Sequence, residues 1–266
     1  MQKFFEDRGT HLAAMIAYFA LLSFVPLTFL ALALLGLSGR ADESSFLVTE
    51  IKHALPGAPV TQIVQLVRAV QRNAATLGII GAAALLWTAL SLFSVLESAF
   101  NIVYGRPNRS FLRGKGIALL LMVGSLVTLF VALLVGSFGV AFLRHRTPAL
   151  FDSTGAYVLT VAISTAGVFG FLVSVYRLLT NADVSVRDVL PGATFAAVIL
   201  EASFQVLPVY NRFTHLNPTL KTFGSPAILL VWLYVMSNVI VFGAELNWWV
   251  AQRKRQHAVE EAPGLA

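Results

Sequence analysis

Glu201 is the residue of this chain that most needs a chemical explanation. It lies about 12 residues into the apolar run Val189–Asn211, roughly 18 Å along a helix and so near a bilayer midplane. A carboxylate at that depth costs a few kcal/mol on insertion scales, so it must face an interior, stay protonated or find a partner. On a helix, Ala193, Ala197, Glu201 and Gln205 form one ridge of small and polar residues, with Phe195, Ile199 and Val206 opposite. Such a ridge fits a close helix neighbour or a cavity wall. Glu201 would then be a protonatable or substrate-contacting group, or else a hydrogen-bonded core acid.

The first apolar run is interrupted at similar depth. Pro26 removes a backbone donor from the first apolar run, and Ser23, one turn earlier, could satisfy freed backbone groups. Tyr234, Asn238 and Glu245 share a stripe in the last run. Ser23, Pro26, Glu201, Gln205, Tyr234, Asn238 and Glu245 together make a candidate transport path. Kinked helices also occur in membranes without that role.

A second polar set falls at helix ends: Glu97, Asn101, Arg109, Arg177, Arg187 and Asp188. Arg177 or a loop arginine is expected to pair with Glu97 and Glu245. Such pairs would fix the helix ends, or would form a gate or a site for an anionic headgroup. Trp248 and Trp249, followed by Arg253-Lys254-Arg255, read as an interfacial anchor.

Other chemistry has little footing. The five histidines, His11, His53, His145, His215 and His257, have no metal-ligand spacing, and no phosphate-cradling glycine motif with a following lysine occurs. No catalytic residue, cofactor or metal is expected. The chain has no cysteine, which removes disulfides and thiolate sites. A net charge of +6 is read as Lys and Arg facing anionic lipid, not nucleic acid.

The elements that would position these residues are long and apolar. Of 266 residues, 57% are hydrophobic and 12% charged, against about 25% charged in a typical soluble domain. Roughly 20 apolar residues cross a bilayer as a helix. The sequence predicts an all-α integral membrane protein with six transmembrane helices, spanning about 11–37, 75–97, 116–143, 154–177, 189–211 and 223–250. Residues 1–252 would be a single membrane domain and 253–266 a frayed cytoplasmic tail. The first run follows Lys3 and Arg8 as a signal peptide would, but it is about twice the usual core of 7–15 residues and reads as a retained helix. Eleven of the nineteen Lys and Arg fall on the side of the termini, which favours both termini in the cytoplasm.

The first extracytoplasmic loop, about 38–73, carries amphipathic helical patterning. Val60, Ile63, Val64, Val67 and Val70 recur at helical spacing, and Pro56-Gly57 ends an earlier segment. Small residues at close-packing spacing (Gly78, Gly81, Ala82; Ala132, Gly136, Gly139; Ala166, Gly170) would let helices approach within the bundle or in a homo-oligomer.

Several segments resemble one family. Ile16-Ala17-Tyr18-Phe19-Ala20-Leu21-Leu22-Ser23-Phe24-Val25-Pro26-Leu27 resembles the opening helix of the YihY/BrkB family of bacterial inner-membrane proteins. Asn101-Ile102-Val103-Tyr104-Gly105 with Arg109 resembles its second-loop motif. Tyr176-Arg177, Arg187-Asp188-Val189-Leu190-Pro191-Gly192-Ala193 and Tyr210 resemble its fourth and fifth helices, and Phe223-Gly224-Ser225 and Gly243-Ala244-Glu245-Leu246-Asn247 its sixth. Thr180-Asn181 departs from the family's Pro-Asn, and Pro226 interrupts its Gly-Ser segment.

The resemblance implies a six-helix inner-membrane protein, linked in the family to serum resistance and to transport of lipid or envelope components. It also brings a historical ribonuclease label, which these residues do not support. The expected function is an inner-membrane transporter moving lipid or another envelope component, with membrane lipids as partners. The alternative is a scaffold or envelope assembly factor that transports nothing.

Overall fold

The structure, a computed structural model, describes residues 2–37, 74–134, 153–214 and 218–260. Among these residues all regular secondary structure is helical: α1 (Gln2–Glu6), α2 (Gly9–Leu37), α3 (Ala74–Val103), α4 (Phe111–Leu134), α5 (Ser153–Leu179), α6 (Val186–Thr214) and α7 (Pro218–Glu260). Three of them contain stretches long and apolar enough to cross a membrane: Ile79–Val103, Val161–Leu179 and Leu229–Lys254. Gly9–Phe24 is a shorter apolar stretch. The amphipathic helices expected over 38–73 lie outside the described residues, as do Gly136 and Gly139.

The helices outrun the apolar runs that announce them. α3 continues to Val103, six residues past 97, because Glu97 and Asn101 in its last turns are buried with polar partners. α7 continues through Arg253-Lys254-Arg255 to Glu260 and makes the start of the expected tail helical, in keeping with the helix propensity of these long side chains. Pro26 lies inside α2 without ending it. The Ser23 hydroxyl donates to the Phe19 carbonyl at 2.8 Å, so it does not serve the Leu22 carbonyl that the proline ring leaves open.

Contacts divide the chain into two compact units. The first comprises Met1–Thr10, Phe93–Glu201 and Val239–Ala266, the second His11–Leu92 and Ala202–Asn238. In the first, Ala99, Phe100, Val103, Leu172, Val175, Tyr176, Leu179, Val189, Ala193, Ala196, Ala197, Val241 and Ala244 are buried, and α4 touches α5. In the second, Leu12, Ala13, Ile16, Ala17, Leu85, Ala89 and Met236 are buried.

Apolar residues facing outward are the rule for helices meant for lipid. Ile79, Trp87, Leu120, Ile163, Val198 and Val231 are all exposed. In water such a surface would aggregate; in a bilayer it is solvated.

Candidate functional site

The polar groups of the first unit gather where α3, the loop after it and the end of α5 meet. Gly105 makes the turn possible. Its φ of 63° suits a residue without Cβ. Its N–H bonds the Ile102 carbonyl at 3.0 Å and the Arg106 N–H bonds that of Asn101 at 2.8 Å, which closes the helix end in a Schellman motif. The chain leaving this turn carries Asn108 and Arg109 back over α3.

Arg109 then bridges three acceptors. Its guanidinium donates to the carbonyls of Leu179 at 2.6 Å and Thr180 at 2.7 Å, and reaches Glu97 Oε1 at 3.4 Å. The same carboxylate oxygen accepts the Arg109 backbone N–H at 3.3 Å. The last carbonyls of a helix lack partners within it and carry partial negative charge, so a cation there caps α5. The planar guanidinium has enough fixed donors to serve both carbonyls and the acid at once. Glu97 is buried, and Gly114 gives it room: a Cβ at Gly114 would stand 2.9 Å from Oε2.

Asn101 makes the second tie. Fully buried, it accepts the Asn181 N–H at 2.7 Å and donates to Asn108 Oδ1 at 3.0 Å. Asn181 donates in turn to the Pro107 carbonyl at 2.9 Å. An open cleft of about 290 Å³ beside this clamp is lined by Arg106, Arg109, Asn181, Ala182 and Asp183.

Of the expected helix-end set, Glu97, Asn101 and Arg109 therefore come together. Arg177 is exposed, and Arg109 takes the position beside Glu97. Arg187 is exposed, and Asp188 belongs to a different feature. Ser185 precedes α6, and its hydroxyl and N–H both donate to Asp188 Oδ2, at 2.7 and 3.1 Å, the geometry of a helix N-terminal box. Lys254 of α7 donates to the other oxygen at 2.9 Å. Burial alone would raise the Asp188 carboxyl, but the bonds from Ser185 and Lys254 outweigh it and hold it below the usual carboxylate range.

A tighter junction joins α5, α6 and α7. Gly192 and Gly243 meet backbone to backbone: a Cβ on Gly192 would collide with the Gly243 carbonyl oxygen, and one on Gly243 with the Tyr176 hydroxyl. Tyr176, fully buried, donates to the Ile240 carbonyl at 2.8 Å and packs on Phe100 with ring centroids 5.2 Å apart. Asn247, also fully buried, accepts the Gly192 N–H at 2.6 Å. Its Nδ2 has no hydrogen-bond partner among the described residues. The sequence carried both glycines in its motifs but gave no sign that they face each other.

Glu201 is 8% exposed and accepts the Ser164 hydroxyl of α5 at 3.0 Å. Ser164, in the middle of an apolar helix, is the partner that reading the sequence missed. The rest of the expected path is distributed between the units. Ser23 and Pro26, both buried, and Tyr234 and Asn238, both half-buried, belong to the second. There the Asn238 amide turns back to the Tyr234 carbonyl at 2.8 Å. The side chain of Gln205 lies outside the described residues.

Glu245 belongs to the first unit, where it faces Lys3 and Asp7 instead of an arginine. It is 7% exposed, and its Oε1 has no hydrogen-bond partner among the described residues. The Lys3 ammonium pairs with Asp7 and lies 4.6 Å from the centroid of the Trp248 ring. Among the described residues no cluster of three or more His, Asp or Glu stands ready to hold a metal ion.

Apolar helices with buried polar clamps define a helical membrane protein. The family described as Virulence factor BrkB matches residues 1–264, and the chain belongs to that family. It is 26% identical over 259 residues to the ribonuclease-like protein YfkH of Bacillus subtilis, covering 93% of this chain and 92% of that protein. It is 25% identical to a UPF0761 membrane protein of Psychrobacter over 92% of this chain and 46% of the relative. A UPF0761 membrane protein of Chromohalobacter salexigens is 26% identical over 96% of this chain and 63% of the relative. The chain thus spans nearly all of YfkH but only about half to three-fifths of these two membrane proteins. No solved structure matches.

Proposed function

We propose that this chain is a six-span protein of the bacterial cytoplasmic membrane, with both termini in the cytoplasm, that moves a lipid or another envelope component. Glu201 carries the reading. A buried acid deep in an apolar helix, held by a hydroxyl from a second helix, is by default a functional group in a membrane protein. The exposed Arg106, Arg113, Arg177 and Arg187 give the loop ends a cationic surface for anionic headgroups. No enzymatic step is part of this reading. The ribonuclease-like name belongs to YfkH, and hydrolysis of RNA would need metal ligands or a positioned acid–base pair, for which the five histidines have no suitable spacing.

The test is reconstitution into vesicles containing fluorescently labelled phosphatidylglycerol, with transfer between leaflets as the readout. The expected outcome is transfer by the unaltered chain and a fall to the protein-free rate with Glu201→Gln. Absence of transfer, or unchanged transfer with Glu201→Gln, sinks the proposal. A second reading, a scaffold that transports nothing, is favoured by the side-chain-free contact of Gly192 with Gly243, which suits a fixed bundle. It expects a protein partner to co-purify stably and no lipid to move.

A further inference from the structure

We propose that α7 carries a binding site for a primary ammonium group, formed by Trp248 and Glu245, and that Lys3 fills it as a tethered stand-in. The inference rests on the lipid-handling reading above and names the headgroup chemistry. The face of a tryptophan ring is the strongest aromatic site for a cation, and the Lys3 ammonium lies over it at 4.6 Å. Lys3 brings its own counter-ion, because Asp7, one turn along the same segment, pairs with it. Glu245, more than nine-tenths buried beside this pair, is left with an oxygen that no donor reaches among the described residues. A buried acceptor without a donor is costly, and an ammonium with three N–H groups supplies one.

The covering segment is built to come away. α1 has only five residues. It is held by the Phe4 ring against Phe242, with centroids 6.0 Å apart, by the contact of Lys3 with Trp248 and by a side-chain hydrogen bond between Asp7 and Glu245. Its hinge, Arg8, has φ 55°, a conformation that costs a residue with a Cβ. Gly9 follows, with the Phe4 ring where its side chain would be. Displacing α1 relaxes Arg8 and removes Lys3 and Asp7 together, which leaves the Trp248 face and the Glu245 carboxylate to an incoming ammonium. One turn beyond Trp249, the exposed Arg253 stacks on that ring at 4.1 Å and offers a guanidinium to a phosphate. An ammonium joined to a phosphate is the chemistry of an amine-bearing lipid headgroup. A free soluble amine shares the ammonium half.

The test uses the full chain in phosphatidylglycerol nanodiscs titrated with ethanolamine, and reads hydrogen exchange over residues 2–8 together with tryptophan fluorescence. A parallel set of nanodiscs contains phosphatidylethanolamine and no ethanolamine. Ethanolamine should raise exchange over residues 2–8. Lys3→Met, which removes the tethered competitor, should bind it at least about tenfold more tightly. Lys3→Met combined with Glu245→Gln should bind at least about tenfold more weakly than Lys3→Met alone. The same exchange change in phosphatidylethanolamine discs identifies the lipid as the source; a change with ethanolamine only identifies a soluble amine. Equal affinity of Lys3→Met and the unaltered chain overturns the proposal, as does binding that survives Glu245→Gln, or no response in either set. Binding is read without lipid movement, so this site and the role of Glu201 can fail separately.

Discussion

Arg109 is a residue whose charge matters less than its shape. Lysine would keep the cation but lose the fork that reaches two carbonyls and Glu97 at once. Arg109→Lys is expected to destabilise the chain by about 2 kcal/mol, and Arg109→Ala by more, since Ala leaves the buried Glu97 carboxylate without its cation. Thermal unfolding in detergent checks both. Asp188 gives a pH dependence with a defined sign. Its carboxyl is lower in the folded chain than the roughly 3.9 of a free aspartate. Its contribution is complete above that value and is lost as pH falls through the lower folded one. Asp188→Asn should therefore reduce the loss of stability below about pH 4. An acid limb of the unfolding midpoint unchanged by the substitution would contradict this. Lys254 is about half exposed, so most of the effect should come from Ser185.

At the scale of elements, α5, α6 and α7 are set by residues that have almost no side chain. Gly243→Ala puts a methyl group into the Tyr176 hydroxyl, which should cost about 1–3 kcal/mol. Tyr176→Phe removes that oxygen, so the double variant should recover part of the loss, and a double-mutant cycle measures the coupling. Simple additivity would show that the two residues do not meet. The helices themselves were legible because long apolar runs have few alternatives. Their ends were not: α3 and α7 pass beyond the apolar residues because polar side chains there find partners that no local pattern reveals. The same limit applies to the site. Glu97 and Arg109 could be named from their positions at helix ends. That Arg109 and not Arg177 reaches Glu97 depends on the fold of the loop from Gly105. Ser164 left no signal at all, because one serine in an apolar helix usually bonds its own backbone.

For the whole molecule, sidedness is the most direct property to measure, and the absence of cysteine makes the chain a clean background. On the proposed six-span topology, Ser45→Cys, between the first two spans in sequence, should react with a membrane-impermeant maleimide added to intact cells, and Ala262→Cys near the C-terminus should react only after lysis. The reverse pattern, or labelling of both from outside, would refute the proposed topology. The relatives set a further limit: the chain covers 46% of the Psychrobacter protein and 92% of YfkH, so activities of the longer relatives are to be tested on this chain directly.

The backbone contact between Gly192 and Gly243 also has a mechanical meaning. Two rods pinned at one level can swing only about the pin, and displacement grows with distance from it. Glu201 is nine residues further along α6, about 13.5 Å away, so a swing of roughly 10° would carry it about 2 Å. That is enough to break its 3.0 Å bond to Ser164. Were α6 to swing on α7, the glycine pair would be the fulcrum and the Ser164–Glu201 bond the sensor at the end of its lever.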